Sequence, residues 1–183
     1  MRFSYAALIA VALLTIGAAY VFYNALPQNT EHTVSAAVTT IPTYQPRTPP
    51  HAMREYRSGR YGFSLFYPEA MGVTEQEEGQ GAMTITFEDT ASRQGFQIFI
   101  VPYNDTAISD ERFLQDVPSG VRENVNSMSL DGVAAVMFDS TDEFVGETHE
   151  VWLIANSHLY ELTTMRPHGA WFDDALLSWE FAD

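Results

Sequence analysis

Three regimes of hydrophobic patterning follow one another along the chain. From Tyr5 to Leu26 the residues are almost wholly apolar, and no charged side chain occurs between Arg2 and Glu31. Wound as a helix, that run is ~33 Å long, enough to cross the ~30 Å hydrocarbon core of a bilayer. From Pro27 to Ala52 the pattern dissolves into Thr, Ser, Ala and Gln punctuated by Pro27, Pro42, Pro46, Pro49 and Pro50. Such a composition cannot bury a core and predicts an extended spacer. Beyond it, short alternating segments recur between turn signals, as in a folded domain.

Within that domain Phe63, Leu65 and Tyr67 alternate with Ser64 and Phe66 until Pro68 ends the strand. Met83, Ile85 and Phe87 alternate with threonines, and Phe96 to Val101 is apolar on both faces near its end. Gly79-Gln80-Gly81 predicts a turn; as a phosphate loop it lacks a third glycine and a following helix. Ser109 predicts a helix start, with Asp110 and Glu111 at the positive end of the dipole, an apolar stripe of Phe113, Leu114 and Val117, and Pro118 as the stop. Asp131-Gly132, between Met128–Leu130 and Val133–Met137, predicts a hairpin on a type I′ turn. A second hairpin crosses Asn156-Ser157 and carries Val151, Leu153, Tyr160 and Leu162 on one face, Trp152, Ile154 and Leu159 on the other. Large apolar residues on both faces imply a sheet covered on each side. Phe172, Ala175, Leu176 and Trp179 recur at helical spacing, and Trp179-Glu180-Phe181 alternates as a last strand. Four strands, a helix, four strands, a helix and a final strand predict an α+β fold, an antiparallel β-sheet sandwiched by helices.

The domain plan is therefore a cytoplasmic N-terminus at 1–4, a transmembrane anchor at 5–26, a Pro/Thr-rich linker at 27–52 and an extracytoplasmic domain at 53–183. Arg2 is the nearest basic residue and none follows until Arg47, so the positive-inside rule places the domain outside the cytoplasm. A cleaved signal peptide shares the layout of a short basic start, an apolar stretch and Gly17-Ala18-Ala19. The apolar run continues past Ala19 to Leu26, which favours the anchor. Both readings export the domain. The chain has no cysteine, so neither a disulfide nor a lipid-bearing cysteine contributes.

Charge narrows the classes of partner. Against 24 acidic residues stand 9 basic ones, every one an arginine, for a net charge of −15. Such a surface repels phosphates and anionic headgroups, which argues against nucleic acid and polybasic lipid binding; it suits a basic partner, bound cations or a salty environment, or simply keeps an exported domain soluble.

Several strings resemble the PsbP-like family, named for an extrinsic lumenal protein of photosystem II. They are Arg60-Tyr61-Gly62-Phe63-Ser64-Leu65-Phe66-Tyr67-Pro68 at the opening strand, Leu130-Asp131-Gly132, Ser157-His158-Leu159-Tyr160-Glu161-Leu162, and Leu176-Leu177-Ser178-Trp179-Glu180-Phe181 at the close. The resemblance spans about residues 54–183 and implies a sheet sandwiched by helices, used for protein docking and not as an enzyme. The anchor and Pro-rich spacer depart from the photosynthetic members, so no photosystem role and no functional residue is carried over.

Candidate chemistry is sparse. His32 and His51 fall in the spacer, His168 follows Pro167 in a loop, and His149 and His158 lie near opposite ends of their hairpin. Nothing in that spacing brings ligands within the ~2.0–2.2 Å of one ion that zinc demands. Ser157 and His158 are adjacent and no G-x-S-x-G elbow exists, which argues against a serine hydrolase. The acid pairs Asp173-Asp174, Glu77-Glu78 and Asp142-Glu143 read as solvated charge in helix starts and loops. The run Asp139 to Glu143 lacks the alternating ligands and central glycine of an EF-hand loop. Trp152, Trp171 and Trp179 read as core. No catalytic, cofactor-binding or metal-ligating residue is assigned, and no cofactor. The expected function is a membrane-tethered extracytoplasmic protein-binding or assembly module, non-enzymatic, whose protein partner lies in or near the membrane. The alternative is a small-ligand carrier or small enzyme with a pocket between sheet and helix.

Overall fold

Alternation and turn chemistry build the domain hairpin by hairpin, and the computed structural model describes residues 47–142 and 146–182. Five strands, one more than expected, lead into helix α1 (Asp110–Asp116): β1 (Met53–Ser58), β2 (Phe63–Pro68), β3 (Gly72–Gly79), β4 (Ala82–Asp89) and β5 (Gln94–Pro102). Then come β6 (Glu123–Leu130), β7 (Val133–Asp142), β8 (Gly146–Ala155) and β9 (His158–Met165). A 3-10 turn (Arg166–His168), helix α2 (Gly169–Leu176) and β10 (Glu180–Phe181) complete the chain as described. Seven strands form one antiparallel sheet in the order β3-β4-β5-β9-β8-β7-β6, and the other three form a second sheet in the order β1-β2-β10.

Turn residues set the registers. Asp131 and Gly132 have φ of 47° and 79°, the two positive values a type I′ turn requires, and Leu130 pairs with Val133 across them. Asn156 and Ser157 do the same between β8 and β9, at φ 50° and 59°. Ser109 caps α1, its hydroxyl accepting from the Arg112 N–H at 3.1 Å.

Both faces of the large sheet are covered. Val151, Leu153, Tyr160 and Leu162 join Ile85, Phe87, Phe96, Ile98 and Ile100 in the main core, against Phe63 and Leu65 of β2 and Phe172 and Leu176 of α2. Each such side chain contributes about 1.5–3 kcal/mol by leaving water. On the other face Trp152, Leu159, Val101 and Phe138 meet Phe113 and Val117 at the α1 end.

The covering layers differ from the expected helices on both sides. One layer combines α2 with the sheet β1-β2-β10, because β2 pairs with β1 and β10 instead of joining the seven strands. Trp179 closes that layer, its ring stacked on Phe63 at 4.2 Å. Leu114, expected in the α1 stripe, is 54% exposed, since the inward side of this seven-residue helix is taken by Arg112 and Phe113, with Val117 at its C-cap. No helix among the described residues is long and apolar enough to cross a membrane. The expected N-terminus 1–4, anchor 5–26 and linker as far as residue 46 lie outside the described residues. Arg47 is bound to the fold: its guanidinium donates to the Ser178 carbonyl at 2.6 Å and to Ser64 Oγ at 2.7 Å.

Candidate functional site

Two clusters of ionisable side chains are built into the domain. The first joins α2 to the large sheet. Antiparallel pairing sets Asp139 of β7 opposite His149 of β8, and Asp139 Oδ1 lies 2.7 Å from His149 Nδ1. From α2, Asp173 Oδ1 lies 3.1 Å from Nε2 of the same ring. Only an imidazolium donates from both nitrogens. Burial alone would lower the His149 pKa, but the bonds to Asp139 and Asp173 outweigh it and the net shift is upward. For Asp139 burial pushes up, while His149 and Asn124 pull harder and leave it below the usual carboxylate range. Asn124 Nδ2 donates to Asp139 Oδ2 at 2.8 Å, and Arg166 Nε approaches the same oxygen at 3.4 Å. Gly169, the first residue of α2, makes room for the imidazole, as a β-carbon there would sit 3.0 Å from His149 Cγ. With both ring nitrogens held by carboxylates, His149 is a strut between helix and sheet.

The second cluster lies under α1. Trp152 pairs with Glu161 and Glu150 with Thr163, so both glutamates share the sheet face that carries Trp152 and Leu159. Arg112 of α1 forms an ion pair with Asp116, one turn on, and reaches Glu161 Oε1 at 3.1 Å. Burial and the neighbouring Asp116 charge push Glu161 well above the ordinary carboxylate range. Burial also raises Asp116, against its hydrogen bonding to Glu161 and the Arg112 charge. A proton held by Glu161 toward Asp116 leaves one carboxylate facing one guanidinium. Glu150 accepts from Thr163 Oγ1 at 2.6 Å and from the Trp152 indole at 3.3 Å, and burial raises its pKa in spite of those donors.

Other residues singled out by the sequence fall apart in space. His149 pairs with Thr164 and His158 with Ala155, at opposite ends of one ladder. His158 Nδ1 bonds the Asn156 carbonyl at 2.7 Å. His168 belongs to the 3-10 turn, not a loop, His51 is exposed, and His32 lies outside the described residues. Glu77 and Glu78 sit in β3 and not in a loop, while Asp173 and Asp174 occupy the body of α2 and not its start. Trp152 and Trp179 are buried, and Trp171 is partly buried against Phe96. Among the described residues no three His, Asp or Glu side chains form a metal-holding group. A depression of ≈ 350 Å³ is lined by Tyr103, Asn104, Asp105, Thr106, Ile154 and Ser157, at the rim of the sheet.

Sequence reasoning missed both clusters. The signal for the second was present: Glu150 and Glu161 fall, by period two, on the same inward positions as Trp152 and Leu159. The first was hidden because β7 and β8 run further toward their connecting loop than their apolar residues indicate, which is what brings Asp139 opposite His149.

The architecture is a PsbP-like fold, α+β with antiparallel sheets and few helices. The solution structure of cyanobacterial PsbP (CyanoP) from Synechocystis sp. PCC 6803 matches with a TM-score of 0.52 and 13% identity, over 76% of this chain and 98% of that one. At that identity the likeness establishes the fold alone. No protein-family model matches the chain, and the search of curated proteins finds no match.

Proposed function

We propose that this chain is a membrane-tethered, extracytoplasmic binding module that docks on a protein partner and performs no chemistry of its own. The observation that carries the reading is the extent of the likeness to CyanoP, 98% of that chain, so that the described domain corresponds to essentially one whole PsbP-like unit. The commitment of the ionisable clusters to internal contacts supports it as well. His149 presents both nitrogens to carboxylates, and Arg112, Asp116 and Glu161 face one another. A general base needs a nitrogen or oxygen within reach of a substrate proton. The apolar N-terminal run is the tether, and since Arg47 is bound to the domain the spacer is about 20 residues, giving a reach of ~22–27 Å.

The test is crosslinking in intact membranes at low and high salt. The net charge of −15 predicts a basic contact surface on the partner and crosslinks that weaken as salt shortens electrostatic reach to ~8 Å and below. Crosslinks indifferent to salt would remove the electrostatic part of the reading. A metal-dependent hydrolytic activity lost in His149→Ala or His158→Ala would replace the module by an enzyme.

A further inference from the structure

At one end of the large sheet the chain leaving β5 and the turn between β8 and β9 lie side by side. Pro102 pairs with His158, and the next residue extends the contact, the Tyr103 N–H donating to the Ser157 carbonyl at 2.8 Å. The Tyr103 hydroxyl donates to the Ala107 carbonyl at 2.9 Å and ties the loop at residues 103–107 across itself. Asn156 and Ser157, both at positive φ in their two-residue turn, hold the facing wall. Between these walls lies the depression of ≈ 350 Å³ lined by Tyr103, Asn104, Asp105, Thr106, Ile154 and Ser157.

The lining is of two kinds. Tyr103 is buried, and Ile154 is half-buried against the cluster that holds Trp152 and Leu159, so both are fixed apolar walls. Asn104, Asp105, Thr106 and Ser157 are exposed. Among the described residues, none of those four side chains has a hydrogen bond or an ion pair within the fold. In this the depression differs from the His149 and Glu161 clusters, whose charges face one another. None of the nine arginines lines it, and no basic residue occurs between Arg93 and Arg112.

These groups define what fits. An anion would meet the Asp105 carboxylate on a chain of net charge −15. A neutral ligand would take that carboxylate out of water without a counter-charge. A bare Ca²⁺ wants six to eight oxygens and has no use for walls of Tyr103 and Ile154. A cation on an alkyl stem uses both halves, its stem along Tyr103 and Ile154 and its head at Asp105. Arginine suits the site better than lysine, because its five N–H donors can use Asp105 together with Asn104, Thr106 and Ser157 as acceptors. The volume is at the low end of ligand pockets, room for one side chain and not for a large cofactor.

We propose that this depression is the anchor site of the binding module, and that it receives an arginine side chain from the surface of the partner protein. The proposal rests on the binding-module reading and names the point at which that module grips. Arginine is among the residues that dominate the energy of protein interfaces when seated in such a pocket.

The probe is the capped peptide Gly-Gly-Arg-Gly-Gly, and its control carries citrulline, which keeps the shape of arginine and lacks its charge. Titrations of the full chain in detergent are read by NMR at the Ile154 methyl and the Asn104 side-chain amide. The arginine peptide should move both signals and bind about tenfold or more tightly than the citrulline peptide. Asp105→Asn should weaken the arginine peptide by about tenfold and erase the difference between the two. Asp110→Asn removes the same charge from an exposed residue that does not line the depression, and should change affinity by no more than about twofold.

Equal binding of the two peptides, equal losses in Asp105→Asn and Asp110→Asn, or an unmoved Ile154 methyl overturns the proposal. So does movement of that methyl with protein concentration alone, for the arginine then comes from a second copy. Crosslinking in intact membranes separates the levels of failure. Capture of a partner by wild type and Asp110→Asn, but about tenfold less by Asp105→Asn, supports the site. Equal capture by all three rejects the site and leaves the module standing. No partner with any of them rejects the module, and peptide binding that persists then makes the depression a site for free guanidinium compounds.

Discussion

Glu161 lies on a sheet face next to Leu159 and Trp152, where a carboxylate is tolerable only with its proton or a close cation. Its folded pKa stands well above the unfolded value of ~4.3, so the folded state binds the proton more tightly. The resulting stability is fully present below the unfolded pKa and is lost as pH rises through the folded one. Glu161→Gln keeps a donor toward Asp116 and an acceptor for Arg112 but does not titrate. We expect the urea midpoint of the wild type to fall relative to the variant as pH rises above the unfolded pKa of ~4.3, and parallel pH profiles would refute the assignment. His149 follows the same sign, since its folded pKa is also raised: its contribution is complete below ~6.5 and fades as pH climbs through the folded value. Asp139, lowered, contributes above its unfolded pKa and fades as pH falls through its folded one. The cluster therefore holds α2 most firmly between those limits. His149→Asn should cost about 1.5–3 kcal/mol near pH 6, and less near pH 9, by denaturant titration.

At the scale of elements, the turns carry the most transferable information. Gly132 has open space around the position of a β-carbon, so the penalty of Gly132→Val comes from its φ of 79° alone. That variant should lose ~1–3 kcal/mol, and an unchanged midpoint would mean the strand ends tolerate another turn. This hairpin, the Asn156-Ser157 hairpin, the Ser109 cap and the two apolar faces of β8 and β9 are all legible in the sequence, because each rests on residues within a dozen positions of one another. The strands β1 and β3 are not, because Arg54, Glu55 and Arg57 in one and Glu75, Glu77 and Glu78 in the other mask the alternation. Local pattern also marks β2 as a strand without naming its partners. The separate sheet depends on β10, more than a hundred residues away, and so does not show in any short window. The same holds for the His149 cluster, whose third member arrives on α2.

At the scale of the molecule, distant segments lock one layer. Arg47 bonds Ser178 and Ser64, lies 3.0 Å from Glu180 and 3.2 Å from Glu55, and covers the Phe66 ring at 4.4 Å. A fragment beginning at Arg47 should therefore exceed one beginning at Met53 by about 1.5–3 kcal/mol in urea unfolding. Equal stabilities would show that these contacts are matched by water in the shorter fragment. Trp179→Ala, which removes the ring stacked on Phe63, should cost about 3–5 kcal/mol.

The Phe63–Trp179 stack also sets a clock. Roughly 116 residues of synthesis separate the two rings, and at ~5–20 residues per second the first waits roughly 6–23 s for the second. During that interval Phe63, Leu65 and the aromatic face they later seal lack the Trp179 lid and expose apolar surface of the kind that promotes aggregation. Under the export proposed above, the same delay has a use. A domain that cannot close until its last strand is made remains threadable, and a translocation pore can still take it.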